Sequence, residues 1–216
     1  MKLRILVTGA AGYIGSMLCT KLVNLGFEVI AVDKLKYEKN SLSHLFFFKN
    51  FEFIKADISN PKIIKKLLKR SDFIIPLAAL VGAPLCDKFK KEAKIVNLDS
   101  IKLILKYINS KQKIIYPTTN SGYGVGEKNK FCDENSPLNP ISFYGTTKAQ
   151  AESLILKNKN SICFRLATVF GFSYRMRTDL LVNHFVEKAV RTNKIEIFEP
   201  HFRRNYIHVR DVVDAF

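Results

Sequence analysis

The chain has no tryptophan, only four cysteines and seven prolines, and little acid: 19 carboxylates face 35 lysines and arginines over 216 residues. Each scarcity excludes something. Cys19, Cys86, Cys132 and Cys163 are far apart and form no CxxC pair, so neither a zinc site nor a disulfide framework is encoded. No metal is expected. No apolar run reaches the roughly 18 residues that a membrane helix needs. The start, MKLRILVTGA, is too briefly apolar for a signal peptide and runs into a glycine motif. These features predict a cytoplasmic protein without a membrane partner. The net charge of +16 invites a nucleic-acid reading. However, the lysines are spread through helix-like stretches (PKIIKKLLKR, KFKKEAK) as solvated faces, with no aromatic-basic module among them. No nucleic acid is expected as a partner.

What is present is alternation. Strand-like runs RILVT, FEVIAVD, FEFIKADI, DFIIPLAA and QKIIYPTT are separated by helix-period segments. The first helix follows the glycine motif and closes at Gly26. Asn60-Pro61 opens another through about Arg70, a long one covers roughly 87–109, and a further one 142–158. SICFRLATVFG reads as one more strand. MRTDLLVNHF reads as a helix, with Arg175 and Arg177 in a solvated loop or touching phosphate. LFFFKNFEF is expected to pack on the sheet. The pattern predicts an α/β fold: a doubly wound parallel sheet with helices on both faces. Residues 1–170 form that nucleotide-binding domain and 171–216 begin a second lobe. YIHVRDVVDAF then stops barely one turn after Asp211, a plausible helix cap, which predicts a longer natural polypeptide.

Two clusters carry chemistry. VTGAAGYIG sets Gly9, Gly12 and Gly15 between strand and helix, with Tyr13 and Ile14 between the last two glycines in the first helical turn. Glycines there let a pyrophosphate approach a helix N-terminus, where free N–H groups favour anions. Asp33 ends the second strand, where a carboxylate accepts from ribose hydroxyls and repels a 2′-phosphate, favouring NAD over NADP. Lys34 and Lys36 stand beside it. Farther on, YGTTK puts Tyr144 and Lys148 four residues apart on one helical face. A phenol titrates near 10, and bringing it to neutrality takes about 4 kcal/mol, which nearby cations could supply.

The GxxGxxG spacing together with YxxxK resembles the extended short-chain dehydrogenase/reductase superfamily, in particular its NAD-dependent nucleotide-sugar epimerases and dehydratases. The resemblance covers the whole chain and implies further roles. Asp57 and Ile58 would contact adenine. Leu77, Ala78 and Ala79 would form the turn beneath the cofactor, and Asn97 would help hold the site. Tyr144 would be the catalytic acid–base and Lys148 would bind the nicotinamide ribose. Thr119, in the stretch TTNSGYG, would hydrogen-bond the reacting sugar oxygen. RLATVFG resembles the family's RLxNVYG strand end, with Thr168 in place of its phosphate-contacting asparagine. RRNYIHVRD resembles RDYIHVxD, which makes Arg204 a clamp on the substrate pyrophosphate, Arg203 its possible helper and His208 structural. Related dehydratases carry an Asp-Glu pair directly after the threonine, where this chain has Asn120 and Ser121. A 4-epimerase acting on a nucleotide sugar is therefore expected. The alternatives are a sugar-nucleotide oxidoreductase or reductase and a non-catalytic NAD-binding regulatory or scaffold protein. Homodimerisation through the segments around 90–109 and 142–158 is implied by the resemblance alone.

Overall fold

The computed structural model describes residues 2–37, 39–125 and 131–216. Six parallel strands form its centre: β1 (Arg4–Thr8), β2 (Glu28–Asp33), β3 (Phe51–Lys55), β4 (Phe73–Pro76), β5 (Lys113–Thr119) and β6 (Ser161–Leu166), in the order β3-β2-β1-β4-β5-β6. Strand order reverses between β1 and β4, where Thr8 lies level with both Val32 and Pro76. In such sheets the crevice beyond the carboxyl ends at this reversal is where a ligand settles.

Both faces are covered, which is why the strands read as nearly continuous apolar runs. On one face α2 (Pro61–Leu68), α5 (Ser100–Tyr107) and α6 (Phe143–Ile155) bury Ile64, Leu68, Ile104 and Ile155 against Leu6, Ile30, Ile74 and Ile114. On the other, α1 (Tyr13–Asn24) lays Leu18, Cys19, Leu22 and Val23 on Ile5, Val7, Val29 and Ile75. Asn60 caps α2 by accepting from the Lys62 N–H at 3.0 Å, with Pro61 at its first position. Among the described residues no helix is long and apolar enough to cross a membrane.

Five expectations need correction. The segment expected as one helix over 87–109 is α3 (Ala83–Lys88), a break at Phe89 (φ −122°, ψ 51°), α4 (Lys90–Lys94), a π turn over Ile95–Asp99, and then α5. SICFRLATVFG divides into β6 and β7 (Thr168–Phe170), and β7 leaves the main sheet to pair in parallel with β8 (Tyr206–His208). The helix expected from MRTDLLVNHF starts later, as α7 (Leu181–Thr192). The cap of α8 (Val209–Ala215) is His208, whose Nδ1 accepts from the Arg210 N–H at 3.3 Å, rather than Asp211. The phenylalanine run also splits: Phe51 and Phe53 pack on the core, while Phe47 is 91% exposed.

Residues beyond 171 divide spatially. α8 returns to the main domain, with Val213 in the α1 core and Lys21 paired with Asp214 at 2.8 Å. β8 instead pairs with β7 in a separate two-stranded sheet.

Candidate active site

The turn after β1 is tight because backbone meets backbone. Gly9 sits at φ +67°, and a Cβ there would lie 2.6 Å from the Ala78 nitrogen. A Cβ on Gly15 would lie 2.3 Å from the Gly9 carbonyl oxygen. The first and third motif glycines thus let β1, α1 and the turn after β4 close on one another, and the Ala78 N–H donates to Thr8 Oγ1 at 3.4 Å. Gly12 is the N-cap of α1 and has no side chain to offer, so the helix presents its first-turn amides uncapped. The fit to a dinucleotide pyrophosphate is good. Asp33, at the end of β2, accepts from the Ala11 N–H (3.1 Å) and the Leu35 N–H (2.7 Å), which aims its carboxylate at the same crevice.

The other predicted cofactor residues lie around this turn. Asp57 is half-exposed and accepts from the Ser59 N–H at 2.9 Å; that bond, with Lys34 nearby, holds its carboxyl below the usual range. Ile58 is buried in the core. Leu77, Ala78 and Ala79 form the turn after β4. Asn97 lies in the π turn, 1% exposed, and grips Leu80 by both main-chain groups: its Oδ1 accepts from the N–H (2.8 Å) and its Nδ2 donates to the C=O (2.9 Å). Its amide shapes that turn. Tyr13 also turns its side chain inward, where its hydroxyl donates to the Gly171 carbonyl at 2.5 Å.

Thr119 ends β5 and is 8% exposed; its hydroxyl accepts from the Ser121 N–H at 3.1 Å. Tyr144 stands in the first turn of α6, which Ser142 caps by accepting from the Gly145 N–H at 3.0 Å. Burial pushes the Tyr144 phenol up to about 12, while a hydrogen bond with Thr119 and then the charge of Arg177 pull the other way. Thr119, Tyr144 and Arg177 therefore share one locale. Lys148, 4% exposed, donates from Nζ to the Pro117 carbonyl at 2.6 Å and lies 4.0 Å from the centre of the Tyr116 ring. Burial brings its ammonium down to about 7, against the opposing influence of Cys163 and Glu152. The sequence offers nearby cations, Lys148 among them, to lower the Tyr144 phenol; in the structure desolvation is the largest effect, and the cation that acts on it is Arg177.

Several contributors were not legible in the chain. Glu152, 3% exposed, is paired with Arg165 Nε at 2.8 Å and so ties α6 to β6 below Lys148. Asn183 accepts from the Gly171 N–H (2.9 Å) and donates to the Tyr13 hydroxyl (3.2 Å) and the Arg177 carbonyl (3.0 Å). Its one signal was an amide within the apolar stretch LLVNHF. On the predicted substrate side, Thr168 donates its N–H to the Asn205 carbonyl at 3.2 Å, and the Asn205 side chain accepts from Asn120 Nδ2 at 2.8 Å. That bond ties the loop after Thr119 to the segment bearing Arg203 and Arg204, both exposed. His208 is structural, with its ring edge-on to Phe170.

Comparison with known proteins agrees with this geometry. An uncharacterized UDP-glucose epimerase of Bacillus subtilis is 32% identical over 98% of the chain, which spans 70% of that protein. The human dTDP-D-glucose 4,6-dehydratase is 28% identical over 99% of the chain, which spans 64% of it. A Bacillus cereus UDP-glucuronic acid 4-epimerase, solved with UDP-glucuronic acid and NAD, superposes with a TM-score of 0.85 at 28% identity, covering 98% of the chain and 71% of its own. Residues 5–216 match the NAD dependent epimerase/dehydratase family. The chain belongs to that family of NAD-dependent enzymes, within the extended short-chain dehydrogenase/reductase superfamily.

Proposed function

We propose that this chain carries the cofactor and acid–base half of a nucleotide-sugar 4-epimerase. The observation that carries the reading is the site at the end of β5. There α6, with Tyr144 in its first turn, packs against β5 and the turn that follows Thr119, and the two positions after Thr119 hold an amide and a hydroxyl instead of carboxyls. Eliminating water from a sugar calls for an acid and a base beyond the Tyr-Thr pair. Asn120 can be neither, and its amide is engaged with Asn205.

Bound NAD supplies a hydride acceptor that later returns the hydride. The chain's own residues do the rest. The uncapped start of α1, with Gly12, Tyr13 and Ile14, would hold the pyrophosphate through main-chain N–H groups; Asp33 would take the adenosine ribose, and Asp57 and Ile58 the adenine side. Lys148 would hold the nicotinamide ribose. Tyr144 takes the proton of a sugar hydroxyl at its Oη and gives it back. Thr119 hydrogen-bonds that oxygen, and its hydroxyl both donates and accepts, as the relay needs. The form that accepts this proton is the phenolate, which burial disfavours and the Arg177 charge favours, so Arg177 offsets part of the cost of burial. Thr168 and Arg204 would meet the diphosphate, a role that suits the guanidinium fork.

The test is incubation of the full-length protein and NAD with UDP-, GDP- and dTDP-sugars, read by NMR and absorbance at the NADH band. Isomerised sugar without net NADH supports the reading, with Tyr144→Phe binding NAD but losing turnover by about 10²–10⁴-fold. Stoichiometric NADH would make it an oxidoreductase, and a keto-deoxy sugar a dehydratase. Bound NAD without turnover would make it a scaffold. Each of these three outcomes overturns the proposal.

A further inference from the structure

The acidic end of β2 is followed at once by two cations, an awkward neighbourhood for an enzyme that uses NAD. Asp33 favours a ribose with a free 2′-hydroxyl, whereas Lys34 and Lys36 would favour a 2′-phosphate. The fold disposes of both lysines. The chain turns at Leu35 in the left-handed region (φ 54°), with the Leu35 N–H bonded to Asp33. Both flanking lysines then converge on a single carboxylate 56 residues or more away in sequence. Glu92, on α4, accepts from Lys36 Nζ through both oxygens (2.7 and 2.9 Å) and from Lys34 Nζ at 3.3 Å. Lys34 is also 3.8 Å from Asp57 Oδ2. Hydrogen bonding raises the Lys36 ammonium and lowers the Glu92 carboxyl, the directions expected of a formed pair.

We infer that Glu92 is a specificity-determining residue for the cofactor: by engaging Lys34 and Lys36 it withholds their charge from a 2′-phosphate, so that Asp33 alone decides the choice. The inference rests on the chain's use of NAD. These side chains are about a third exposed, so each ion pair contributes little to stability. Their consequence lies in where the charge is spent. With Glu92 and Asp57 present, two cations meet two anions. Without Glu92, one lysine's charge is uncompensated at the ribose end of the crevice, and a dianionic phosphate is the strongest partner on offer there.

The experiment is titration of the full-length protein with NAD and NADP by calorimetry or fluorescence, at low and high salt. Glu92→Gln should tighten NADP by about tenfold, or 1.4 kcal/mol, and leave NAD within about twofold. The gain should shrink as salt rises, because exposed charges are screened beyond about 10 Å at 0.1 M. Adding Lys34→Ala and Lys36→Ala to Glu92→Gln should abolish it. The same lysine pair changed in the wild-type background should barely move the NAD-to-NADP ratio, since those cations are already engaged. An unchanged ratio in Glu92→Gln, or a gain that survives removal of both lysines, overturns the inference while leaving NAD binding intact. A wild-type protein that binds neither dinucleotide overturns both.

Discussion

The two sides of the crevice are held in place by different means. On the cofactor side the turn after β1 is locked by close approach: Gly9 against Ala78, Gly15 against the Gly9 carbonyl, and an apolar layer behind them. On the side proposed for the substrate, between residues 171 and 208, the buried positions are Ser173 and Asn183, both polar. Those two reach back to one place, the first turn of α1. Ser173 Oγ donates to the Tyr13 carbonyl at 2.6 Å and lies 3.1 Å from Ser16 Oγ, and Asn183 holds the Tyr13 hydroxyl. One side has a core of its own, and the other is tied to it by hydrogen bonds. The glycine turn and first turn of α1 are therefore also the anchor of residues 171–183, and damage there should spread outward, whereas damage to the ties should stay local.

The largest effect expected from this contrast is at Gly9. Gly9→Ala combines a left-handed conformation, costly for any L-residue, with a Cβ inside the van der Waals shell of main-chain atoms of Leu77 and Ala78. A loss on the order of 3 kcal/mol or more is expected, with NAD binding abolished, read by denaturant unfolding and calorimetry. Gly26 is the control: it too has positive φ (+86°), but nothing lies within 4 Å of its added Cβ. Gly26→Ala should cost only about 1 kcal/mol. Equal losses at the two sites would show that backbone conformation alone matters and that close approach does not.

Lys148 is the exception within the well-packed side, and it sets the second prediction. Its ammonium is lowered by burial from an ordinary 10.5 to about 7. Between those values the unfolded chain holds a proton that the folded chain has released, so stability rises with pH across that window. Below about 7 the folded state carries the full cost of a buried charge. Lys148→Met removes that cost. The variant should lose turnover yet unfold about 2 kcal/mol less readily at pH 6, with the gain fading toward pH 10. Thermal melts across pH check this; a methionine variant less stable at every pH would mean that the bond to the Pro117 carbonyl outweighs the desolvation.

Much of the cofactor side was legible because its signals are local. Strand period, glycine spacing and a carboxylate at a strand end occupy short windows, and the sheet with its turn follows from them. Ser142 and Asn60 announce their helices for the same reason. What was illegible depends on partners distant in sequence. The break at Phe89 and the π turn at Ile95–Asp99 accompany the reach of Asn97 to Leu80, which no helical periodicity over 87–109 reveals. His208 rather than Asp211 caps α8, a contest between two plausible caps that β7–β8 pairing decides. Tyr144 and Lys148 were found by spacing. Their titration was not, since it depends on how deeply α6 sinks against β5. Lys34 and Lys36 stand out beside Asp33 in the sequence, but nothing there marks Glu92 as their partner.

The smallest effect, and the sharpest test of the contrast, belongs to Asn183. Its amide serves three partners: the Gly171 N–H, the Tyr13 hydroxyl and the Arg177 carbonyl. Asn183→Ala leaves buried groups unpaired, a local cost of about 1–2 kcal/mol. Because residues 171–208 contribute almost nothing to the main core, that cost should appear as local opening rather than as a lower global midpoint. Hydrogen exchange should accelerate in 171–190 and stay unchanged in β1 and α1. In steady-state kinetics the KM for the nucleotide sugar should rise several-fold while the NAD Kd stays fixed, because the segment that carries Arg175 and Arg177 loses its anchor while the phosphate turn keeps its own. Asn183→Asp, which retains the acceptor for Gly171 but not the donor, should fall between wild type and alanine. If alanine instead weakens NAD as much as substrate, Tyr13 depends on Asn183 rather than the reverse, and the anchor runs in the opposite direction.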